Sequence, residues 1–281
     1  MKLWLNGELV EDADACIGPR DRGFLLGDGV FETLRTYTGR PFALRKHLER
    51  LITGAGVLGI PLPPTEKLEE GTRSLLEASE LPDARLRITV TGGAGPPGLA
   101  RGEGPATVLI TASSVRRWSE SSSAIVCPWA HDERSPLAGV KTTSRADSVL
   151  ALVHARSRGA EEGLFLNGRG ELCEATTANV FVVRDGRVET PPISSGCLAG
   201  ITREHVLRLC GELEIEAGEC DIPANALGDA DELFLTSSTR EVQPLVRVDG
   251  KPVAEGTAGP VTRRLADAFS RMVAREIQPQ R

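Results

Sequence analysis

Lys141 is the residue of this 281-residue chain whose surroundings first suggest chemistry. It lies in Pro136-Leu137-Ala138-Gly139-Val140-Lys141-Thr142-Thr143-Ser144, among small, apolar or hydroxylic neighbours with no acid close by to form a surface pair. An amine held in such a setting gives up its proton more readily and suits Schiff-base chemistry. A solvated lysine just ahead of a helix is the ordinary alternative. Lysine is scarce in this chain: of 33 basic residues only five are lysine, at positions 2, 46, 67, 141 and 251, and the rest are arginine. Genome composition accounts for such a bias, yet arginine can replace a surface lysine and not a nucleophilic one, so each of the five invites a reason.

Four further segments carry complementary groups. Glu174 is the lone charge between the apolar Leu172-Cys173 and the hydroxyl-rich turn Thr176-Thr177; a carboxylate there could keep a ring nitrogen protonated, or could simply face water at a strand end. Gly200-Ile201-Thr202-Arg203 opens a helix with Thr202 expected as its N-cap, and a helix N-terminus with free amides and a hydroxyl suits a phosphate as well as it suits plain capping. Thr236-Ser237-Ser238-Thr239 places four hydroxyls after the apolar Leu233-Phe234-Leu235. Arg50, on an expected helix, could add a positive charge or be merely solvated. An amine nucleophile, a carboxylate for a ring nitrogen, and hydroxyls, amides and an arginine for a phosphate together make the inventory of a pyridoxal phosphate site. A competing motif fails. Gly93-Ala94-Gly95-Pro96-Pro97-Gly98 matches a dinucleotide fingerprint by letter, but prolines fill its variable positions and the segment after it is a poor helix.

These groups sit on a chain of ordinary globular composition, 40% hydrophobic and 26% charged. A net charge of −6 argues against a non-specific nucleic-acid partner, and no apolar run is long enough to span a bilayer. The six cysteines form no Cys-x-x-Cys pair and the four histidines lie far apart, so no metal is expected; the thiols are expected to be free and the location cytoplasmic, with no leader segment read at the N-terminus. Asn6-Gly7 predicts a hairpin of 2–5 with 8–10. Strands are expected at 29–37, 85–91 and 106–112, and helices at 45–59, with Leu44, Leu48, Leu51, Ile52 and Val57 on one stripe, and at 65–80, capped by Thr65. The polar stretch 113–123 reads as a linker. After it come short strands at 124–128, 164–166, 179–183, 187–189 and 232–236, and helices at 145–158, 203–213 and 261–277. Runs of strands with few helices and no βαβ repetition favour an α+β fold, with domains at 1–118 and 119–281.

In order and spacing these segments resemble the class IV aminotransferase family, the fold-type IV pyridoxal phosphate enzymes, which include branched-chain aminotransferases, D-amino acid aminotransferases and 4-amino-4-deoxychorismate lyases. The resemblance runs from Asp21-Arg22-Gly23 and Gly27-Asp28-Gly29-Val30-Phe31-Glu32 to Glu241-Val242, and is most specific at His47-Leu48-Glu49-Arg50-Leu51, around Lys141, and from Glu174 to Asn179-Val180-Phe181. It implies a small N-terminal α/β domain, a larger C-terminal domain with a barrel-like sheet and helices, a cofactor between them, and a homodimer. It implies that Lys141 forms the Schiff base with pyridoxal 5'-phosphate and then shuttles the proton, and that Glu174 pairs with the pyridinium nitrogen. Arg50, Ile201, Thr202, Ser238 and Thr239 would hold the phosphate.

Within the family, Thr33 stands where branched-chain enzymes usually carry glycine, and Ala146 where they carry tyrosine. Near the position of Gly92, D-amino acid enzymes usually carry an arginine that grips the substrate carboxylate, and the lyases tend to carry one too; its absence here counts against the D-amino acid reading. The lyases typically carry threonine at the position of Thr33 and often arginine at that of Arg145. The Thr33 hydroxyl could help Lys141 steer protons toward elimination of an enol-pyruvyl group, although a β-branched residue also simply suits a strand. The resemblance therefore favours a lyase releasing pyruvate from aminodeoxychorismate and yielding p-aminobenzoate, a folate precursor. A branched-chain or D-amino acid aminotransferase is the alternative, and a non-catalytic binding protein on the same scaffold the third reading. Arg35, Arg87 and Arg145 are the candidate clamps for the carboxylate of a small amino substrate.

Overall fold

A computed structural model describes residues 1–278; the last three positions of the expected second domain lie outside the described residues. The chain separates into two compact units: residues 1–116 with 140–145, and residues 117–139 with 146–281. The segment containing Lys141 thus returns to the first unit, after the chain has begun the second.

The first unit is a six-stranded sheet with three helices, two of them long. Its elements are β1 (Lys2–Leu5), β2 (Glu8–Glu11), α1 (Arg22–Leu26), β3 (Gly29–Tyr37), β4 (Arg40–Pro41), α2 (Leu44–Leu58), α3 (Thr65–Ser79), β5 (Ala84–Thr91) and β6 (Thr107–Ser114), in sheet order β2-β1-β6-β5-β3-β4. β3, β5 and β6 alternate along much of their length, as a sheet covered on one side requires. Leu34, Leu86, Ile88, Val90 and Ile110 point into a core shared with Leu48, Leu51, Leu68 and Leu75 from α2 and α3. The opposite face carries Phe31, Thr33, Arg35, Arg85, Arg87 and Thr89. Helix α2 buries a narrower stripe than expected: Leu48 and Leu51 are inside with His47, Gly54 and Ala55, whereas Ile52 and Val57 are exposed. A second expectation changes at α3, where Pro64 takes the N-cap position and Thr65 is the first helical residue.

The second unit holds a nine-stranded sheet and three helices. Its elements are β7 (Ser122–Val126), α4 (Ala146–Ser157), β8 (Glu162–Leu166), β9 (Leu172–Ala175), β10 (Asn179–Arg184), β11 (Arg187–Thr190), α5 (Ile201–Glu212), β12 (Ala217–Glu219), β13 (Glu232–Ser237), β14 (Glu241–Val248), β15 (Lys251–Pro252) and α6 (Pro260–Glu276). The sheet order is β12-β11-β10-β13-β14-β7-β8-β9, with β15 on β14, and the sheet curls into a half barrel. β10 and β13 are buried almost throughout, which is why Val180–Val183 and Leu233–Leu235 read as unbroken apolar runs; Phe181 and Phe234 lie opposite one another and stack at 4.7 Å. This is the expected α+β architecture. The stretch read as a linker is partly strand: Ser113 and Ser114 end β6, and Ser122 and Ser123 begin β7. No helix of the described residues is long and apolar enough to cross a membrane.

Candidate active site

In the first unit, Lys141 is fixed by stitching its segment to the edge of β3. The Phe31 amide donates to the Lys141 carbonyl at 2.9 Å, and Val30 and Thr142 form an antiparallel bridge. The hydroxyls after the lysine bind glycine carbonyls: Thr142 Oγ1 donates to Gly29 O at 3.0 Å, and Thr143 Oγ1 to Gly27 O at 2.8 Å. Gly27 is required twice over, since its φ is +66° and a Cβ would lie 2.5 Å from Ser144 Oγ. Lys141 Nζ is 4.9 Å from the centroid of the Phe31 ring. The same ring is covered by Arg87, whose guanidinium carbon is 3.8 Å from its centroid.

Arg87 lies opposite Thr33 in the β3–β5 register, and its Nε donates to Thr89 Oγ1 at 3.1 Å. Burial and then the positive charges of Arg85 and Arg145 pull its pKa down to about 10. Among the described residues no carboxylate pairs with it, so a half-buried guanidinium stands among other arginines with its charge uncompensated. Arg35 is engaged elsewhere, 3.8 Å from the Asp83 carboxylate and 4.4 Å over the Tyr37 ring.

Arg50 reaches inward to Glu32, whose position on the buried face of β3 is the least expected feature of the unit. Arg50 Nε and Nη2 donate to the two Glu32 oxygens at 2.7 and 2.8 Å, and His47 Nδ1 lies 2.7 Å from Glu32 Oε2. Burial raises the Glu32 pKa, but hydrogen bonds from Arg50 and His47 outweigh it and bring the carboxyl down to about 2. Burial also lowers the pKa of His47, against the pull of Glu32. The sequence carried a signal for this hub: a charge at an inward position of an otherwise apolar strand face.

In the second unit, Glu174 on β9 is buried rather than facing water, and its Oε2 accepts from the Leu198 amide at 2.9 Å. The Leu198 carbonyl in turn accepts from Asn179 Nδ2 at 2.8 Å, so one residue ties the carboxylate to the start of β10. Two residues on, Gly200 is the N-cap of α5, and a Cβ there would fall 1.9 Å from Asn179 Oδ1. Thr202 is therefore a first-turn residue and not the cap, and no side chain caps this helix. Ile201 and Thr202 are buried in that first turn, while Ser238 and Thr239 are half-buried in the turn between β13 and β14. Beside them Thr236 Oγ1 is buried with no hydrogen-bond partner among the described residues.

The family model described as amino-transferase class IV matches residues 29–248. The chain belongs to this family. It is 34% identical over 280 residues to the Methanocaldococcus jannaschii protein named "Putative branched-chain-amino-acid aminotransferase", covering 96% of this chain and 95% of that one. It is 30% identical over 281 residues to a D-alanine aminotransferase of Staphylococcus aureus, covering 97% and 98%. Among solved structures, the Escherichia coli branched-chain amino acid aminotransferase superposes with a TM-score of 0.92 at 31% identity, covering 99% and 96%. A T.th. branched-chain amino acid aminotransferase solved with pyridoxamine 5'-phosphate superposes at 0.91 and 30%, covering 98% and 95%. A Legionella pneumophila protein named "Putative 4-amino-4-deoxychorismate lyase" superposes at 0.87 and 26%, covering 93% and 97%. As a class IV aminotransferase the chain is a pyridoxal-phosphate-dependent enzyme, and its donor set fits that cofactor. A buried carboxylate with one oxygen already anchored suits a pyridinium nitrogen, and an uncapped helix N-terminus and a hydroxyl-rich turn suit a phosphate.

Proposed function

We propose that the enzyme transfers the amino group of an α-amino acid to a 2-oxo acid, with Arg87 receiving the substrate carboxylate and Lys141 moving the proton. The observation that carries this reading is the Phe31 ring, which has the Lys141 amine at 4.9 Å and the acid-free Arg87 guanidinium at 3.8 Å from its centroid. An α-amino acid presents a carboxylate one carbon from its amine, and a bidentate guanidinium is the strongest neutral-pH partner for the former. Arg145, whose charge bears on Arg87, reinforces the field. Bound pyridoxal phosphate supplies the electron sink that acidifies the substrate Cα–H bond. Lys141 would hold the cofactor covalently and, as a free amine, would move the substrate Cα proton at its Nζ. Glu174 keeps the ring nitrogen protonated. In the second unit, Ile201 and Thr202 at the start of α5 with Ser238 and Thr239 would hold the phosphate, and in the first unit Arg50 would offer it a positive charge.

A second reading, 4-amino-4-deoxychorismate lyase, rests on Thr33. Its side chain is on the same sheet face as Phe31 and directly across from Arg87 in register, so its hydroxyl borders the proposed carboxylate site. Against it, the relatives named above at 30% identity or more carry aminotransferase names. The visible spectrum of the holoenzyme distinguishes the two. Amino donors alone should convert the lysine-linked chromophore to the pyridoxamine form in a transaminase. Pyruvate release from aminodeoxychorismate over repeated turnovers, with the chromophore unchanged, would mean the lyase. Lys141→Ala should abolish turnover and the lysine-linked chromophore under both readings; activity retained in that variant overturns them.

The same reading includes a homodimer in a reducing, cytoplasmic setting. Phe24, Leu25 and Leu26 on the first unit are exposed, as are Val149, Leu150 and Val153 along α4, and such apolar faces suit a second copy of the chain. All six cysteines are free thiols, as a reducing compartment leaves them. Sedimentation velocity should report twice the chain mass, and a monomer at micromolar concentration counts against the dimer.

A further inference from the structure

Beneath the Thr176–Thr177 turn and the turn between β13 and β14 lies a buried ion pair that none of the roles above uses. The Arg240 and Glu162 side chains are only 2% and 1% exposed, and Arg240 Nη2 bonds Glu162 Oε1. Glu162, at the start of β8, also receives the hydroxyls of both threonines: Thr177 Oγ1 at 2.7 Å on Oε1, and Thr176 Oγ1 on Oε2. Arg240 Nη2 reaches Thr177 Oγ1 at 3.1 Å, and Nη1 donates to Gln243 Oε1 at 2.9 Å. Gln243 is itself fixed by donating to the Ser119 carbonyl at 2.7 Å, and Trp118 covers the guanidinium with its ring centroid 3.8 Å away.

Two physical points bear on what this network does. A buried ion pair is a poor source of stability, since apolar residues of the same shape usually serve as well or better. The turn it holds is strained as well: the residue after Arg240 is Glu241, a non-glycine with φ of +61°. The network's distinctive effect is geometric. It fastens the turn that leads from Glu174 to Asn179 onto the turn that carries Ser238 and Thr239. A cofactor of limited reach binds best when the groups for its ring nitrogen and those for its phosphate are already spaced to suit it.

We propose that Arg240 and Glu162 are positioning residues for the cofactor, setting the spacing between the Glu174 carboxylate and the Ser238–Thr239 hydroxyls. This rests on the reading that those hydroxyls hold the phosphate. Partners that orient ligating groups without touching the ligand are worth roughly 10–100-fold in affinity where this has been measured at metal sites.

The test measures the dissociation constant of pyridoxal phosphate by absorbance titration of the apoenzyme, together with the melting temperature of the apoenzyme. The double variant Glu162→Met with Arg240→Met removes the pair without stranding a buried charge. It should melt close to the wild type yet bind the cofactor roughly 10–100-fold more weakly. Arg240→Lys, which keeps the charge but loses the planar fork, should fold normally and lose affinity by a smaller factor. Wild-type affinity in the double variant, or in Arg240→Lys should the double variant not fold, overturns the proposal. Ser238→Ala with Thr239→Val is the separate arm. Unchanged affinity there overturns the phosphate reading itself, whereas weakened affinity there with unchanged affinity in the Arg240 variants overturns only the positioning role.

Discussion

Each unit contains a buried glutamate that holds an arginine, and the two pairs differ in how far the arginine is enclosed. In the first unit Glu32 is fully buried and takes Arg50 side-on through Nε and Nη2, while the Arg50 side chain remains 17% exposed. In the second unit Glu162 takes Arg240, which is covered by Trp118 and has both Nη1 and Nη2 bonded within the protein. The chemistry of the contact is alike, and burial separates what each arginine is able to do. An arginine braced from behind with one side outward can present charge to a phosphate, whereas an arginine enclosed on every side can act only through the turns it joins.

The largest effect is expected where the brace is removed. Glu32→Ala leaves Arg50 and His47 facing a buried site without their acceptor, which should cost about 3–5 kcal/mol of stability. Urea denaturation of the apoenzyme measures it, and a midpoint equal to the wild type would show that Glu32 is not the hub of the unit. Glu32→Gln, which retains acceptor and shape, should fall between Glu32→Ala and the wild type. The double Met variant at 162 and 240 should by contrast spare stability and lose cofactor affinity, so the two hubs separate along different axes.

Acid should reveal the same asymmetry. Glu32 ionises near pH 2 in the folded chain against an ordinary value of 4.5, so the folded state binds fewer protons than the unfolded one in that interval. Its stabilisation, about 3 kcal/mol, is complete above pH 4.5 and disappears as pH falls to 2. His47 adds to the slope from higher pH. With its pKa lowered by burial, His47 takes up its proton at lower pH in the folded chain than in the unfolded one, whose ordinary value is 6.5. Urea midpoints measured from pH 7 downward should therefore decline first below 6.5 and again below 4.5. Glu32→Gln should abolish the lower step, and a lower step that persists in that variant would assign it to other carboxylates.

Much of this arrangement was legible in the residues. Asn6-Gly7 marks the first hairpin, the alternation of Gly29 to Tyr37 matches β3 residue for residue, and Lys141 and Glu174 stand out by their local context. What stayed hidden depends on pairing between distant segments. The hydroxyls of Thr142 and Thr143 look like a polar linker until they meet the carbonyls of Gly29 and Gly27, 113 and 116 residues away. β14 passes unnoticed because Pro244 lies within it and proline argues against a strand interior. β9 is only four residues long, too short for a periodic signal. Burial decides the rest: nothing local separates the enclosed Arg240 from the partly exposed Arg50, since both are arginines near apolar sequence.

Arg87 extends the series to an arginine that pairs with no acid among the described residues, and the smallest effect is expected there. Its guanidinium is half-buried on the Phe31 ring, with Arg85 and Arg145 as its charged neighbours. Replacing it removes no internal ion pair and relieves repulsion, so Arg87→Met should leave the fold intact or slightly stabilised. A charge-assisted bond to a substrate carboxylate is worth about 1.5–3 kcal/mol, or roughly 10–150-fold. That loss should fall on KM for the amino acid, with cofactor affinity and the lysine-linked chromophore unchanged. An unchanged KM would remove Arg87 from the substrate site, and weakened cofactor binding would place it with Arg50. A raised KM alone would add a third use of one side chain, an unpaired guanidinium receiving a carboxylate at Arg87, beside the phosphate role proposed for Arg50 and the positioning role proposed for Arg240.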